Sequence, residues 1–291
     1  MTTRPRRDMT GRKPLRGRPA AASEAALPSV LTTGLARGRV ELTTFFRERE
    51  TVVFIFALPA VLLVMLGSIF GGQAVRVPGV TVGQLFVAGM IAGGIMSTSF
   101  QYLGIGITTE RDQGMLKRLY GTPMPHTAYF IGKIVQVFVC MIAEIALLMI
   151  VGVAFYHLHL PASAGHWWTL AWVCVLGCAA CSLLGIAVSS LPRSARSASP
   201  MITLPFLVLE FISGVFIPFT SVPPWLQRVA AVFPLKWMAQ GLRSAFLPAR
   251  AAVLEPAHSW EHGRTALVLA AWVAAGLVVC VRTFRWQSRK R

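Results

Sequence analysis

Acidic residues are scarce in this sequence. Its 291 residues hold 11 Asp and Glu against 28 Lys and Arg, and only 13% of the chain is charged, about half the share usual in a soluble domain. Hydrophobic residues make up 55%, which excludes a water-exposed globule for most of the chain. The G-x-x-x-x-G-K-[ST], H-E-x-x-H and G-x-S-x-G patterns are absent, so no nucleotide-hydrolysing, zincin or serine-hydrolase site is written here. Cysteine is scarce, and Cys140, Cys174, Cys178, Cys181 and Cys280 all fall inside apolar runs, against a disulfide framework. Cys174, Cys178 and Cys181 share a helical face; packing is a better account of them than a soft-metal site. Large apolar residues are rare before Pro28, and no small-residue cleavage site precedes the first long apolar run. A disordered basic tail is therefore expected over residues 1–30 rather than a signal peptide.

What the chain does have is a series of uncharged stretches. Val52–Phe70 runs nineteen residues without a charge, about 28 Å as a helix and close to the ~30 Å hydrocarbon core of a bilayer. Five more follow, giving expected spans at residues 52–70, 82–107, 129–155, 167–189, 201–219 and 265–281. The fold class is an all-α polytopic membrane protein with a transmembrane domain over residues 51–285 and a basic tail at 286–291. The formal charge is +17, but eleven of the 28 basic residues precede Thr51 and five lie in the last ten positions. Basic tails beside spans read as anchors against anionic lipid, and the distribution puts both termini inside. Nucleic acid is not an expected partner, since the basic residues are not interleaved with aromatics that would stack on bases.

Several polar features stand out. Residues 31–50 read as an amphipathic interfacial helix, with Arg39 among its charges and Leu42, Phe45, Phe46 and Arg49 at spacings of 3 and 4. Thr108–Pro125 is the most polar internal segment, and Gln113, Gly114, Met115, Leu116, Lys117, Arg118, Leu119 and Tyr120 fit two helical turns ended by Gly121 and Pro123. Lys133, near the inner end of span three, is expected to snorkel. Ser221–Phe246 divides at Phe233-Pro234 into two short amphipathic stretches. They suit an external re-entrant helical hairpin between spans five and six, dipping into the outer leaflet or lying flat on it. Glu144 and Glu210 fall near the middle of spans three and five. A carboxylate in hydrocarbon is costly, so proton coupling, contact with a cationic substrate and a neutral carboxyl bonded across the bundle all stay open. His157, His159 and His166 read as solvated loop residues rather than a metal site.

Three motifs carry a family resemblance. The segment from Thr109 to Pro123, TERDQGMLKRLYGTP, resembles the E-R-x-x-G-T-L-x-R-L-x-x-T-P pattern of ABC-2-type transporter permeases, with Met115 where Thr is usual. The second is Phe211-Ile212-Ser213-Gly214-Val215-Phe216-Ile217-Pro218 followed by Pro224-Trp225-Leu226, and the third is Phe233-Pro234-Leu235 leading through Trp237 to Gly241-Leu242-Arg243. The similarity covers about residues 31–285 and is strongest to daunorubicin-resistance-like permeases. It implies the membrane subunit of a bacterial plasma-membrane exporter, non-enzymatic itself. Its partners are a second permease subunit, identical or related, two copies of a cytoplasmic ABC ATPase that bind ATP and Mg, and membrane lipids; this chain binds no cofactor. Gln113–Tyr120 is then the coupling helix and residues 31–50 the elbow helix. Spans one, two and five surround the route of an amphiphilic drug, lipid or glycan. The alternatives are an ion-coupled secondary transporter using Glu144 and Glu210, or a non-transport membrane scaffold; a secondary carrier would show broken mid-membrane helices.

Overall fold

A computed structural model describes residues 29–70, 75, 77–122 and 124–283. The basic tails and Pro123, named above, lie outside those residues. The described elements are helices: α1 (Val30–Arg47), α2 (Arg49–Phe70), α3 (Val82–Met96), α4 (Leu103–Asp112), α5 (Met115–Tyr120), α6 (His126–Tyr156), α7 (Ala164–Val188), α8 (Ala195–Ile212), α9 (Pro224–Ala230), α10 (Pro234–Phe246) and α11 (His262–Thr283). A π-helical turn, Ser97–Tyr102, joins α3 to α4, so the two form one membrane-length helix, Val82–Asp112. With α2, α6, α7, α8 and α11 this makes, among the described residues, six helices long and apolar enough to cross a membrane.

Local sequence sets the starts. Ser29 caps α1 by accepting from the Thr32 amide, and Ser163 caps α7 by accepting from that of His166. Thr81 with Gln84, and Ser194 with Ser197, form reciprocal capping boxes on α3 and α8. The second box explains why span five begins in the polar run at Ala195, earlier than residue 201. Its end at Ile212, short of residue 219, follows from Gly214, whose φ of +82° turns the chain out of the helix.

Span two is the core. Its most apolar window is 89% buried inside the chain, against 17% for α2 and 28% for α8. Glycine makes the enclosure possible: a Cβ on Gly89 would lie 2.7 Å from the Val215 carbonyl oxygen, and one on Gly93 2.6 Å from Glu210 Oε1. Gly94 faces Glu144 in the same way. Small residues of this kind let helices approach where apolar burial gives no drive. The chain's own helices thus enclose span two, whereas the resemblance placed it around a route between subunits.

Two further features go beyond what the sequence pattern specifies. The face of α1 that packs is Gly34, Gly38, Glu41 and Phe45, because Gly34 and Gly38 lie against Ile131 and Val135 of α6. Leu42 is half-buried on its edge, while Phe46 and Arg39 are exposed and Arg49 belongs to α2. The Ser221–Phe246 segment holds two helices in different settings. Its first helix, α9, is largely exposed, with Trp225 62% exposed, but every residue of α10 is buried against α3, α7 and α11. The polar residues of α10 find internal partners. Lys236 pairs with Gln240 and sits 3.6 Å from the centroid of the Trp237 ring, and Arg243 Nε donates to Glu255 at 2.8 Å while its Nη1 donates to the Gly214 carbonyl at 3.0 Å.

The glycine seam is testable. Gly89→Val should cost about 1–3 kcal/mol through overpacking, whereas Gly106→Ala, with no atom within 4 Å of the added carbon, should gain up to about 1 kcal/mol. Denaturant unfolding in mixed micelles measures both.

Candidate functional site

The site is built where α4 leaves the bundle. Gln113 and Gly114 interrupt the helix, Gly114 with a φ of +73°, and α5 restarts for six residues. This short helix is two-sided. Leu116 is fully buried in the main core, Leu119 is half-buried, and Met115, Lys117, Arg118 and Gln113 are exposed. Tyr120 is helical, and its side chain is outside the description. The substitution Leu116→Asp would therefore disturb the core rather than an outer face.

Two sets of bonds hold α4 just before this break. On one side Arg111 Nη2 donates to the Pro192 carbonyl at 2.8 Å, Thr108 Oγ1 donates to the Ser189 carbonyl at 3.0 Å, and Asp112 Oδ2 accepts from the Ala195 amide at 2.9 Å. These fasten α4 to the turn between α7 and α8. On the other side Glu110 accepts from the Tyr129 hydroxyl at 2.7 Å and pairs with Lys133. Lys133 also donates to Glu41 of α1 at 2.8 Å, and Arg37 lies 2.5 Å from the other oxygen of Glu41. Two cations and two carboxylates thus balance in a largely dry setting, where removing one member leaves a buried charge uncompensated. The expected snorkelling of Lys133 is corrected: its side chain is 6% exposed, because Glu41 and Glu110 offer nearer partners than the headgroups.

At the opposite end Ser213, Gly214, Pro234 and Trp237 are buried, Pro218 and Leu226 are half-buried, and Pro224 is exposed. The Trp237 indole donates to the Ala231 carbonyl at 2.7 Å, joining the two short helices of this segment. Burial pushes the Lys236 ammonium down to about 8, although Glu255 and Glu261 act to raise it. Midway between the ends, Glu144 and Glu210 contact α3 at Gly94 and Gly93, and neither joins an ion pair among the described residues. Cys178 and Cys181 stand at C-x-x-C spacing as free, buried thiols. No group of three His, Cys, Asp or Glu is placed to hold a metal ion among the described residues.

The family described as ABC-2 type transporter matches residues 36–247, from α1 through α10. The chain belongs to the ABC-2 type transporter family. It is 26% identical over 204 residues, 68% of each chain, to a putative transport permease, ycf38, of Porphyra purpurea. It is 24% identical over 232 residues to a probable doxorubicin resistance ABC transporter permease protein, DrrC, of Mycobacterium tuberculosis, covering 76% of this chain and 79% of the relative. Members of the family are non-catalytic membrane components, and this ABC-2 permease is not an enzyme. The matched region contains the whole clamp, including Arg37, Glu41, Tyr129 and Lys133, which sequence spacing did not bring together. A signal was present: Glu110 and Lys133 are the charged residues closest to the adjoining ends of spans two and three.

Lys133→Met should lower stability by about 3 kcal/mol or more, with partial recovery when Glu110→Gln is added. Lys117→Met, on the exposed face of α5, should stay within about 0.5 kcal/mol of the parent. Urea midpoints of the purified protein in detergent decide this.

Proposed function

We propose that this ABC-2 permease forms the translocation pathway of an ATP-driven exporter, paired with a second permease and two ATPase subunits. The observation that carries the reading is α5: a six-residue helix braced from both sides through α4, offering Met115, Lys117 and Arg118 outward. Packed helices move as units, so a push on α5 passes to α4, and from α4 to α6, α1 and α8. ATP and Mg act on the partner subunits. Lys117 and Arg118 engage an acidic groove there, charge complementarity fixing register and speeding encounter. In this reading both termini and α5 face the cytoplasm of a bacterium, lipids surround the apolar faces of α2 and α8, and the buried α10 segment closes the outer end of the route. The substrate is an amphiphile, a drug, lipid or glycan; the doxorubicin resistance named for one relative suits the first.

The test is Lys117→Glu with Arg118→Glu, both exposed and outside the clamp. The double variant should fold normally, lose the co-purifying ATPase and drop ATP-driven transport in proteoliposomes at least about tenfold. Unchanged partner capture and transport would overturn the assignment of α5. Transport driven by a pH gradient with no ATPase present would replace the reading with an ion-coupled carrier.

A further inference from the structure

At the end of the bundle opposite α5, a cavity of about 470 Å³ opens between α3, the turn after α8, α10 and the short 3₁₀ turn Ala249–Leu254. That is within the size range of small-molecule sites. Of Asp, Glu, Lys and Arg, its described lining holds only Arg243 and Glu255. Both are buried, at 4% and 2% exposed, and both are anchored. Arg243 Nη1 donates to the Gly214 carbonyl, and the Glu255 amide donates to the Ala252 carbonyl at 3.0 Å.

The two side chains meet through one prong. Arg243 Nε donates to Glu255 Oε1 at 2.8 Å, whereas Arg243 Nη2 and Glu255 Oε2 are each buried without a partner. A guanidinium and a carboxylate ordinarily close two parallel bonds, and leaving a buried donor and a buried acceptor unmade is costly. The half-made fork calls for a group that accepts from Nη2 and donates to Oε2. A hydroxyl does both through one oxygen. Because the charges of the pair cancel, an added anion faces Glu255 and an added cation faces Arg243, each without compensation.

Water can serve the fork but not the space, since its share of liquid volume is about 30 Å³. The rest of the wall is of two kinds. Phe86 and Phe219 supply aromatic surface, and the exposed Thr220 and Ser221 carry further hydroxyls. A ring with apolar C–H faces and several hydroxyls at its edge suits both kinds, an apolar lining with a few placed polar groups being the usual make-up of a ligand site.

We propose that this cavity binds a neutral sugar ring, one hydroxyl of which accepts from Arg243 Nη2 and donates to Glu255 Oε2. The proposal concerns binding at this end of the bundle and does not depend on the exporter reading.

The probes are methyl glucoside, methyl galactoside and methyl mannoside, titrated by saturation-transfer NMR against the full chain in phosphatidylcholine nanodiscs. Methyl glucosaminide and methyl glucuronide are the cationic and anionic comparisons. At least one neutral glycoside should bind saturably, and both charged analogues at least about fivefold more weakly. Val253→Trp, at an exposed lining position, narrows the cavity with the fork intact and should weaken that binding at least about tenfold. Arg243→Met combined with Glu255→Leu replaces the pair by apolar side chains, an exchange buried ion pairs often tolerate, and should abolish binding with the unfolding midpoint retained. Saturable binding of none of the three neutral glycosides overturns the site. So does equal binding of a charged analogue, or affinity unchanged in Val253→Trp. Monoglucosyl diacylglycerol added to the nanodisc distinguishes the sources: displacement of the soluble glycoside assigns the ring to a lipid headgroup, and undisturbed binding assigns it to a free saccharide.

Discussion

Close approach of backbones around span two is the constraint on which the architecture depends. Lipid tails are as apolar as leucine, so helices in a bilayer gain little from hiding apolar surface and associate through fit and polar contacts. Here the fit is made by absence of side chain. Gly89, Gly93 and Gly94 on α3 admit Val215, Glu210 and Glu144, and Gly185 of α7 comes against the Phe100 carbonyl in the π-helical turn. With its glycines occupied, α3 has no lipid face left, and α2, α6, α7 and α10 pack around it.

The spans themselves were legible because each depends on composition within one window. The short helix after Gly114 was legible for a similar reason: a polar segment, a glycine at each end and a proline beyond. Span five shifted because serine caps outweigh hydropathy at a helix start. The packed face of α1 was not legible because two glycines, which contribute nothing to an apolar pattern, decide it; Phe45 follows them inward and Phe46 does not. Lys133 was opaque for a different reason. Its partners lie 92 and 23 positions away, and charge alone cannot say whether a lysine reaches headgroups or a carboxylate.

The clamp gives physical meaning to the polar motif that carried the resemblance. Glu110 faces α6 and α1 through Lys133, while Arg111 and Asp112 face the α7–α8 turn. Three consecutive residues thus tie one helix end to both sides of the bundle before the chain breaks at Gly114. The second half of α1 and the end of α4 are joined through a single ammonium group, so neither can shift without disturbing the other.

The enclosed α10 bears on biogenesis. With Lys236, Gln240 and Arg243 among its thirteen residues, it is too polar to partition into lipid alone and too well covered to have reached its place early. One of the helices that cover it, α11, is synthesised after it. The chain therefore cannot finish folding as it emerges. The contacts of α10 with α3 and α7 can form first, but the cover stays incomplete until the last span inserts, and truncation before His262 would leave a charged helix open on one side for membrane quality control to find.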